Sequence, residues 1–431
     1  MKASKASIAS KKILIITYYW PPCGGAGVQR WLKFTKYMPE YGWELHVLTV
    51  DPAFAEYPAR DESLEKDIHP GIRVYKTKAL NYFRLGKTHP SSGPKTRPLT
   101  DGKNTINNRI AHCIRGNFFI PDPRKGWNRF AVQKAARIIR EHGIRYVLTT
   151  SPPHSTQLIG LKLKKMFPEL KWIADLRDPW TDIYYYKNFY GTWPAKRYDR
   201  KLEENVLHKA DKIITVGESL ADLFSDKLHH KTKDISVITN GYDEDDFRNM
   251  QANVVPGKTM ITYVGSITDQ YPLREFIDVI NDLSISGRHN ELSMRIAGHV
   301  SHNMKTLIND YPVSRFINII PYTNHRQSIK YMLESNMLLL LIPDHPLNKL
   351  IITGKIFEYL RTGKPILAIG PPEGDAAKII REMKAGATFE KDDAESIKNF
   401  ILDNRNDGKI NIDTSIYSHG SIVRDLTKTI K

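Results

Sequence analysis

The segment from residue 351 to residue 369 constrains the fold of this chain more than any other stretch. It contains a polar turn, a short amphipathic helix that ends at Gly363, and an apolar strand from Ile366 to Ile369. A strand that is apolar on both faces is typical of a parallel sheet covered by helices on each side. The pattern therefore predicts an α/β protein in which the start of this helix, near Thr353, faces the cleft end of the sheet.

Two charged residues lie close to the start of this predicted helix. Lys355 follows Gly354, and the free backbone N–H groups of a helix N-terminus together with a lysine make a suitable seat for a phosphate. Glu358 lies about one turn further on, where a carboxylate can accept hydrogen bonds from sugar hydroxyls. The alternative is that both side chains are solvated on the outer face of an amphipathic helix, and the segment alone leaves both interpretations open.

Length and composition indicate a globular protein with two domains. The chain has 431 residues, of which 41% are hydrophobic and 10% aromatic, and this is enough for two full cores. Cys23 and Cys113 are too few for a disulfide framework, which favours a reducing compartment such as the cytoplasm. No apolar run approaches the roughly 20 residues that a membrane helix needs. We interpret the basic residues before the first strand as a short tail rather than a signal peptide.

The formal net charge of +17 is concentrated in the first half of the chain, within residues 109–140 and 196–212. Nucleic acid is a poor explanation, because no zinc-finger spacing and no RNP-like aromatic motif is present. An anionic membrane surface is a better partner, since each basic residue near it contributes about 1 kcal/mol. The sequence thus predicts a cytoplasmic protein at the inner face of the plasma membrane, with a generally basic soluble protein as the alternative.

The chain opens with a βαβ unit. A β-branched strand from Lys12 to Thr17 leads into a loop that contains Gly24 and Gly25, and a helix and a second strand follow. A glycine-rich loop at the carboxyl end of a first strand is typical of a doubly wound domain. The loop imitates a dinucleotide-binding fingerprint, but Arg30 occupies the third glycine position, which disfavours a dehydrogenase. A plain tight turn remains the alternative for the two glycines.

Strands and helices then alternate through two halves of the chain, and this predicts two doubly wound Rossmann-like domains that face each other across a cleft. The expected boundaries are residues 1–250 and 251–414, with a linker at 251–258. Residues 80–108 are rich in Pro, Gly, Ser, Lys and Thr, so we expect a flexible insertion there.

Several polar residues follow predicted strands of the first domain, where open α/β sheets place their ligands. His154 is expected to hydrogen-bond a ligand there, or else to be a surface histidine at a helix start. Asp175, Arg177 and Asp178 crowd one strand end, and like charges so close together usually need a reason. They form either a ligand-binding pocket or, at Asp178 before Pro179, a helix cap.

In the second domain, the first strand ends at Gly265 and Ser266, where the missing side chain allows backbone to approach a phosphate. No zinc-protease, Cys-x-x-Cys, P-loop or Gly-x-Ser-x-Gly motif is present, so the sequence has none of the usual signals for metal, P-loop or serine-hydrolase chemistry.

The segment at 351–369 resembles the donor-site helix of the retaining glycosyltransferases of the B-type fold, the large family-four group also known as glycosyl transferases group 1. Glu358 matches the second glutamate of the paired-glutamate motif in that family, which contacts the ribose of the nucleotide. Leu350 stands where the family has the first glutamate. The Asn240-Gly241 turn is also similar to the turn that precedes the interdomain link in the family.

The resemblance implies transfer of a sugar from a nucleotide diphosphate sugar, with no cofactor and no required metal. Lys355 and Arg274 would neutralise the leaving diphosphate, although Ser266 stands where the family usually has an arginine. We expect His154, Asp178 and Lys355 to be catalytic. The expected donor-binding residues are Gly24, Gly25, Gly265, Ser266, Arg274, Pro321, Tyr322, Gly354, Lys355 and Glu358. The expected acceptor-binding residues are Asp175, Arg177 and Asp178.

The family resemblance further implies that the last helix, within residues 415–431, packs back on the first domain. The preferred acceptor is a saccharide or a lipid-linked saccharide in the assembly of a cell-surface polysaccharide or glycolipid. Two alternatives stay open. One is a nucleotide-sugar epimerase or hydrolase of the same fold, and the other is a non-catalytic nucleotide- or membrane-binding protein, which Leu350 and Ser266 would favour.

Overall fold

The computed structural model describes residues 11–81, 106–183, 186–229, 233–251, 253–254, 257–285, 292–405 and 410–430. The predicted tail before the first strand and most of the predicted insertion at 80–108 lie outside these residues.

The first half of the chain builds a parallel sheet of seven strands in the order β3-β2-β1-β4-β5-β6-β7. The strand order reverses between β1 and β4, so the loops that follow these two strands flank the crevice in which such sheets bind their ligands. The strands are β1 (Lys11–Ile16), β2 (Trp43–Val50), β3 (Arg73–Thr77), β4 (Tyr146–Ser151), β5 (Lys171–Leu176), β6 (Lys212–Thr215) and β7 (Ile235–Val237).

The second half builds a parallel sheet of six strands in the order β10-β9-β8-β11-β12-β13. Its crevice lies between β8 and β11, whose pairing runs from Met337 opposite Ile261 to Leu338 opposite Thr262. The strands are β8 (Thr259–Val264), β9 (Leu292–Ala297), β10 (Ile317–Ile320), β11 (Met337–Leu341), β12 (Ile366–Ile369) and β13 (Gly386–Phe389).

Helices cover both sheets and connect the parallel strands. The α-helices are α1 (Ala26–Tyr37), α2 (Ile106–Phe118), α3 (Asn128–His142), α4 (Ser155–Met166), α5 (Trp193–Lys209), α6 (Glu218–Lys227), α7 (Glu244–Phe247), α8 (Leu273–Ile285), α9 (His302–Asn309), α10 (His325–Leu333), α11 (Lys355–Thr362), α12 (Asp375–Glu382), α13 (Ala394–Asp403) and α14 (His419–Thr429). Short 3-10 helices occur at Met38–Tyr41, Glu62–Asp67, Pro123–Trp127, Tyr186–Phe189, Pro312–Phe316, Asn348–Leu350 and Ser415–Tyr417.

The prediction of two doubly wound α/β domains is confirmed. The segment that constrained it forms α11 and β12, with Gly363 in the left-handed conformation (φ 67°) that ends the helix and with all four residues of β12 buried. One expectation for the first domain is wrong: no described helix starts at Asp178, so its interpretation as a helix cap fails. Helix α2 begins at Ile106 and so overlaps the last three residues of the range expected to be a flexible insertion.

The chain crosses from the first sheet to the second after β7, through the short helix α7, and the predicted boundary at residue 250 falls within this crossing. Helix α14, the last described helix, packs against the first domain. Its residues Val423 and Leu426 are fully buried in the same core as Trp31 and Phe34 of α1.

Candidate functional site

Lys355 lies at the first position of α11, and its ammonium group is held over the end of β8. The Nζ atom donates a hydrogen bond to the Tyr263 hydroxyl at 2.9 Å and lies 4.0 Å from the centroid of the same ring. A Cβ atom at Gly265, which has φ 130°, would lie 2.7 Å from this Nζ. Glycine is therefore needed here both for the backbone conformation and for the space that the lysine occupies.

Burial lowers the pKa of Lys355 to about 7, although the nearby charge of Glu358 raises it. No side chain caps the N-terminus of α11, which begins after Gly354. Because the first N–H groups of a helix have no partner within it, they remain available beside the lysine. The sequence had brought Gly265, Gly354 and Lys355 together as parts of one anion site, and the structure places Lys355 against Gly265.

Three buried side-chain oxygens on the two loops around this lysine lack a hydrogen-bond partner among the described residues. They are Oγ1 of Thr268 and Oε1 of Gln270, which follow β8, and Oγ1 of Thr353, which precedes α11. The loop after β8 and the loop after β11 are held together by a hydrogen bond from Asp344 N to Gln270 O at 2.8 Å. Since buried polar groups are almost always paired in native proteins, these three oxygens are candidates for hydrogen bonds to a polar ligand.

Glu358 accepts a hydrogen bond from a residue that the sequence did not single out. Oε1 of Glu358 lies 2.7 Å from Nε2 of His325, the first residue of α10. The other ring nitrogen of His325 lies 3.7 Å from Oδ2 of Asp246 in α7. No motif marks His325, because its two carboxylates come from segments 33 and 79 residues away, so the pairing appears only in the tertiary structure.

The glycine-rich loop of the first domain contacts the loop that follows β10 in the second. A Cβ atom at Gly24 would lie 2.5 Å from the Tyr322 hydroxyl, and the backbone N–H of Gly25 donates to that hydroxyl. Gly24, Gly25 and Tyr322 therefore meet across the cleft. Tyr322 is half exposed and Pro321 is exposed, so both remain accessible from solvent.

The remaining donor-side residues lie less centrally. Ser266 is exposed, and its carbonyl oxygen accepts a hydrogen bond from the Tyr263 hydroxyl at 2.9 Å. Arg274 is exposed in the first turn of α8, and its side chain hydrogen-bonds Tyr311, which precedes β10. Ser266 therefore contacts Tyr263, which also contacts Lys355, whereas the contact described for Arg274 is with Tyr311.

On the first domain, His154 follows β4 and lies directly before α4. Its ring stacks on Trp180 with centroids 5.0 Å apart and an interplanar angle of 16°. Both ring nitrogens are buried and have no hydrogen-bond partner among the described residues. Burial and the positive charges of Lys227 and Arg177 lower the pKa of His154 to about 3, so the imidazole is neutral near pH 7 and free to accept a hydrogen bond.

Arg177 and Asp178 follow β5 and lie beside the glycine-rich loop. The Nε of Arg177 donates to Ser151 O at 2.8 Å, and its Nη2 donates to Gly27 O at 3.3 Å. Burial raises the pKa of Asp178, which Arg177 opposes and Asp175 reinforces. The structure therefore brings Arg177, Asp178 and His154 to the same end of the first sheet.

Asp175 does not fit the acceptor-binding role expected of it. Its side chain is fully buried and accepts hydrogen bonds from Trp31 Nε1 at 2.7 Å and Thr150 Oγ1 at 2.6 Å, and its other oxygen lies 3.3 Å from Arg30 Nη2. These partners come from the core of the first domain itself. Asp175 thus joins β5 to α1 through Trp31 and Arg30, and its carboxylate is already paired inside the domain.

Two further features of the described residues bear on function. None of the helices in these ranges is long and apolar enough to cross a membrane. Among the described side chains, no group of three or more His, Cys, Asp or Glu residues is arranged to hold a metal ion.

Comparison with solved structures identifies the class of fold. The chain resembles a structure described as trehalose-6-phosphate from E. coli bound with UDP-2-fluoro glucose, at 10% identity over 97% of this chain and 96% of the other, with a TM-score of 0.58. It also resembles WaaG, a glycosyltransferase involved in lipopolysaccharide biosynthesis, at 12% identity over 97% and 95% of the two chains, with a TM-score of 0.55.

A third similar structure is a putative UDP-N-acetylglucosamine 2-epimerase from Listeria monocytogenes, at 12% identity over 98% and 96% of the two chains, with a TM-score of 0.56. At such identities these likenesses show the fold alone, which is the two-domain B-type fold of glycosyltransferases. A comparison with curated protein sequences found no match.

The sequence itself gives the family. The Glycosyltransferase Family 4 profile matches residues 24–246, which are just over half of the 431 residues. The chain belongs to this family and is a glycosyltransferase. The prediction of the family and of the enzyme class is therefore confirmed.

Proposed function

We propose that this glycosyltransferase moves a sugar from a nucleoside diphosphate sugar to a saccharide or lipid-linked acceptor, with retention of configuration, in the assembly of a cell-surface polysaccharide or glycolipid. One observation carries the choice of donor. The Lys355 ammonium is held against Gly265 at the N-terminus of α11, between two loops that carry unpaired buried oxygens. A diphosphate supplies negative charge for the lysine and acceptor oxygens for the hydroxyls of Thr268 and Thr353. Oε1 of Gln270 can only accept a hydrogen bond, so it suits a hydroxyl of the nucleotide sugar instead.

The donor half of the reaction follows from these residues. As the bond to the sugar breaks, negative charge grows on the leaving diphosphate, and Lys355 with the first N–H groups of α11 neutralises it. Glu358 accepts hydrogen bonds from the ribose hydroxyls, and Tyr322 lies beside the glycine-rich loop to receive the base. The similar E. coli structure contains UDP-2-fluoro glucose, which supports a nucleotide sugar as the donor class. The mechanism uses no cofactor and requires no metal.

The acceptor half lies on the first domain. The neutral imidazole of His154 accepts a hydrogen bond from a sugar hydroxyl, since neither of its nitrogens is otherwise paired. Asp178 lies close to Arg177 and shares the acceptor pocket with it. Because burial raises the pKa of Asp178, its carboxylate can accept the proton of the attacking hydroxyl. Closure of the two domains excludes water and favours transfer over hydrolysis. The likeness to WaaG supports a saccharide acceptor of the cell envelope.

Calorimetric titration with UDP, GDP and ADP tests the donor site. We expect one diphosphate to bind tightly, and Lys355→Ala to weaken it about 10- to 100-fold through the loss of a charge-assisted contact. Lys330→Ala is the matched control, because Lys330 is an exposed lysine of α10 with a long ion pair to Glu334 at 3.8 Å. Equal losses in both variants would show only a general effect of charge, and absence of binding to all three diphosphates would reject the donor site.

The similar epimerase structure makes a second activity the alternative, namely rearrangement or hydrolysis of the donor without an acceptor. Product analysis separates the two activities. Each nucleotide sugar is incubated with the protein alone and then with saccharide or lipid-linked acceptors, and the sugar products are identified by mass spectrometry and NMR. Turnover of donor alone would favour the epimerase, whereas turnover that requires acceptor supports transfer. Nucleotide binding without turnover in either mixture would favour a non-catalytic protein.

A basic and aromatic surface on the first domain supports an anionic membrane as the place where a lipid-linked acceptor is met. Phe118 at the end of α2 is 72% exposed and Trp193 at the start of α5 is 71% exposed. Asn117 joins the two helices through hydrogen bonds from Thr192 N at 2.8 Å and Thr192 Oγ1 at 2.7 Å. Exposed basic residues on the same two helices include Arg109, Lys196, Arg197 and Arg200.

Aromatic side chains flanked by cations suit a membrane interface. In sedimentation with vesicles, we expect binding to phosphatidylglycerol and none to phosphatidylcholine. The Phe118→Ala/Trp193→Ala variant should lose this binding and keep its affinity for the diphosphate. Sedimentation of the variant equal to that of the wild type would reject this surface as the membrane contact.

A further inference from the structure

Four charged residues form a continuous line from the donor site to the first domain. His325 joins Glu358, at 2.7 Å, to Asp246, at 3.7 Å. Asp246 in turn accepts a hydrogen bond from Lys33 Nζ at 2.8 Å. Glu358 lies on α11, His325 on α10, Asp246 on α7 and Lys33 on α1. The line therefore runs from the second domain through the crossing segment to the helix that follows the glycine-rich loop.

Lys33 anchors the far end of this line. Its side chain is only 1% exposed and is surrounded by three carboxylates, Asp67 at 2.9 Å, Asp243 at 3.1 Å and Asp246 at 2.8 Å. These carboxylates raise the pKa of Lys33 against the lowering effect of burial, so the lysine stays charged. Because α1 begins immediately after Gly25, the anchor fixes the crossing segment to the element that carries the loop at the cleft.

The surroundings of His325 favour its doubly protonated form. Burial lowers its pKa, but Glu358 and Asp246 more than offset this, and Lys33 opposes them, so that the net shift is upward. The backbone N–H of His325 also lies 3.4 Å from Oδ2 of Asp61. An imidazolium has two N–H donors, and each faces one carboxylate here.

We propose that His325 is a positioning residue of the donor site, which orients Glu358 toward the nucleotide and couples it through Asp246 to the segment between the domains. This inference rests on the proposed donor site. The contact between His325 and Asp246 exists only while the second domain lies against α7 as it does here. A nucleotide bound to Glu358 therefore stabilises this arrangement of the domains, and the arrangement strengthens nucleotide binding by the same factor.

The first test needs no nucleotide. Histidine-labelled protein is titrated by NMR, with His325→Gln used to assign the resonance. We expect the pKa of His325 to lie above its ordinary value of 6.5 and to fall in Glu358→Gln, because one of its carboxylates is removed. A pKa at or below 6.5 in the wild type, or one unchanged in Glu358→Gln, overturns the proposal.

The second test is a double-mutant cycle on diphosphate binding. His325→Gln should weaken binding of the preferred diphosphate about tenfold, and should cause no further loss when Glu358 is already Gln, since both changes remove the same contact. In steady-state assays the donor KM should rise more than kcat falls. Arg326→Gln is the matched control, because it removes an exposed positive charge from the next position of α10. Asp246→Asn should reproduce part of the His325→Gln loss.

The outcomes separate this inference from the proposed function. If wild-type protein binds none of the three diphosphates, the donor site itself is rejected, and the role of His325 with it. If the wild type binds and His325→Gln binds equally well, only the positioning role is overturned. Additive losses in the double variant, together with a lowered unfolding temperature, identify His325 as merely structural and also overturn it.

Discussion

The ends of the two parallel sheets each gather carboxylates and cations, yet the two clusters have opposite designs. At the first sheet, Asp175 is fully buried and receives its hydrogen bonds from Trp31, Thr150 and Arg30 of its own domain. At the second sheet, Glu358 is partly exposed and pairs with His325, while Lys355 lies over a glycine.

The difference shows that a charge at the carboxyl end of a strand is not by itself a ligand contact. What decides is whether the core of the domain supplies the partners. The carboxylate of Asp175 makes its hydrogen bonds and its ion pair inside the protein, so removal of this side chain should affect folding. Glu358 and Lys355 have few partners inside the protein, so their charged atoms remain available for hydrogen bonds to a ligand. Removal of these side chains should therefore affect binding.

The largest effect is expected at Asp175. Asp175→Ala leaves Arg30 as a buried charge without its carboxylate, and the free energy of unfolding should fall by about 3–5 kcal/mol. Urea unfolding followed by circular dichroism measures this. Glu358→Ala is the matched control, and its loss should stay below about 1 kcal/mol because the pair is partly exposed. A stable Asp175→Ala protein with a raised acceptor KM would restore the acceptor-binding role and contradict the contrast drawn between Asp175 and Glu358.

Gly265→Ala should have the next largest effect. At φ 130° an alanine is strained, and its Cβ would lie 2.7 Å from the Lys355 ammonium. We expect a loss of about 1–3 kcal/mol in unfolding free energy, together with weaker diphosphate binding. At Gly354 an added Cβ meets no atom within 4 Å, so Gly354→Ala is the control and should change both quantities much less. Equal behaviour of the two variants would show that Gly265 has no special relation to Lys355.

The pH dependence of diphosphate binding should report the charge of Lys355. Its pKa of about 7 means that the free protein loses this charge as pH rises through 7, whereas a bound diphosphate favours the charged form. Affinity should therefore fall at least about tenfold between pH 7 and pH 9. Lys355→Arg stays charged throughout and should show a much flatter profile, with every other titrating group retained. Identical profiles for the two proteins would contradict this role.

The smallest effect on stability is expected at His154. His154→Phe keeps a ring to stack on Trp180 and removes two nitrogens that have no hydrogen-bond partner among the described residues. The free energy of unfolding should change by less than about 1 kcal/mol, while transfer to the acceptor falls. Thermal unfolding and a transfer assay on the same sample measure the two. A large loss of stability would place His154 with Asp175 rather than with Lys355.

Much of the fold could be predicted from local patterns. The β-branched run that became β1, the apolar run that became β12 and the stop at Gly363 each depend on nearby residues alone. Helix α2 was missed because a polar stretch precedes it and its packing partners near Phe189 and Thr192 lie about 75 residues away. Secondary structure that depends on distant contacts carries a weak local signal.

The candidate site could be predicted less completely. Gly265 and Lys355 were proposed from the sequence because a glycine after a strand and a lysine at a helix start are local patterns, and the structure places the two side by side. The burial of Asp175 was not foreseen, because a sequence shows that a residue lies at the end of a buried strand but not that Trp31 and Arg30 close over it. His325 was missed, because its importance comes from two carboxylates on other elements.

By itself, the sequence determined the two doubly wound domains, the family and the elements that carry the proposed donor site, since hydrophobic periodicity and helix ends act over a few residues. Only the tertiary structure decided which charges face inward and which face the cleft. That choice depends on the desolvation of each group and on the partners that folding brings to it. Asp175 and Glu358 are alike as residues at the end of a sheet, and the packing of α1 and α10 against them gives the two carboxylates different tasks.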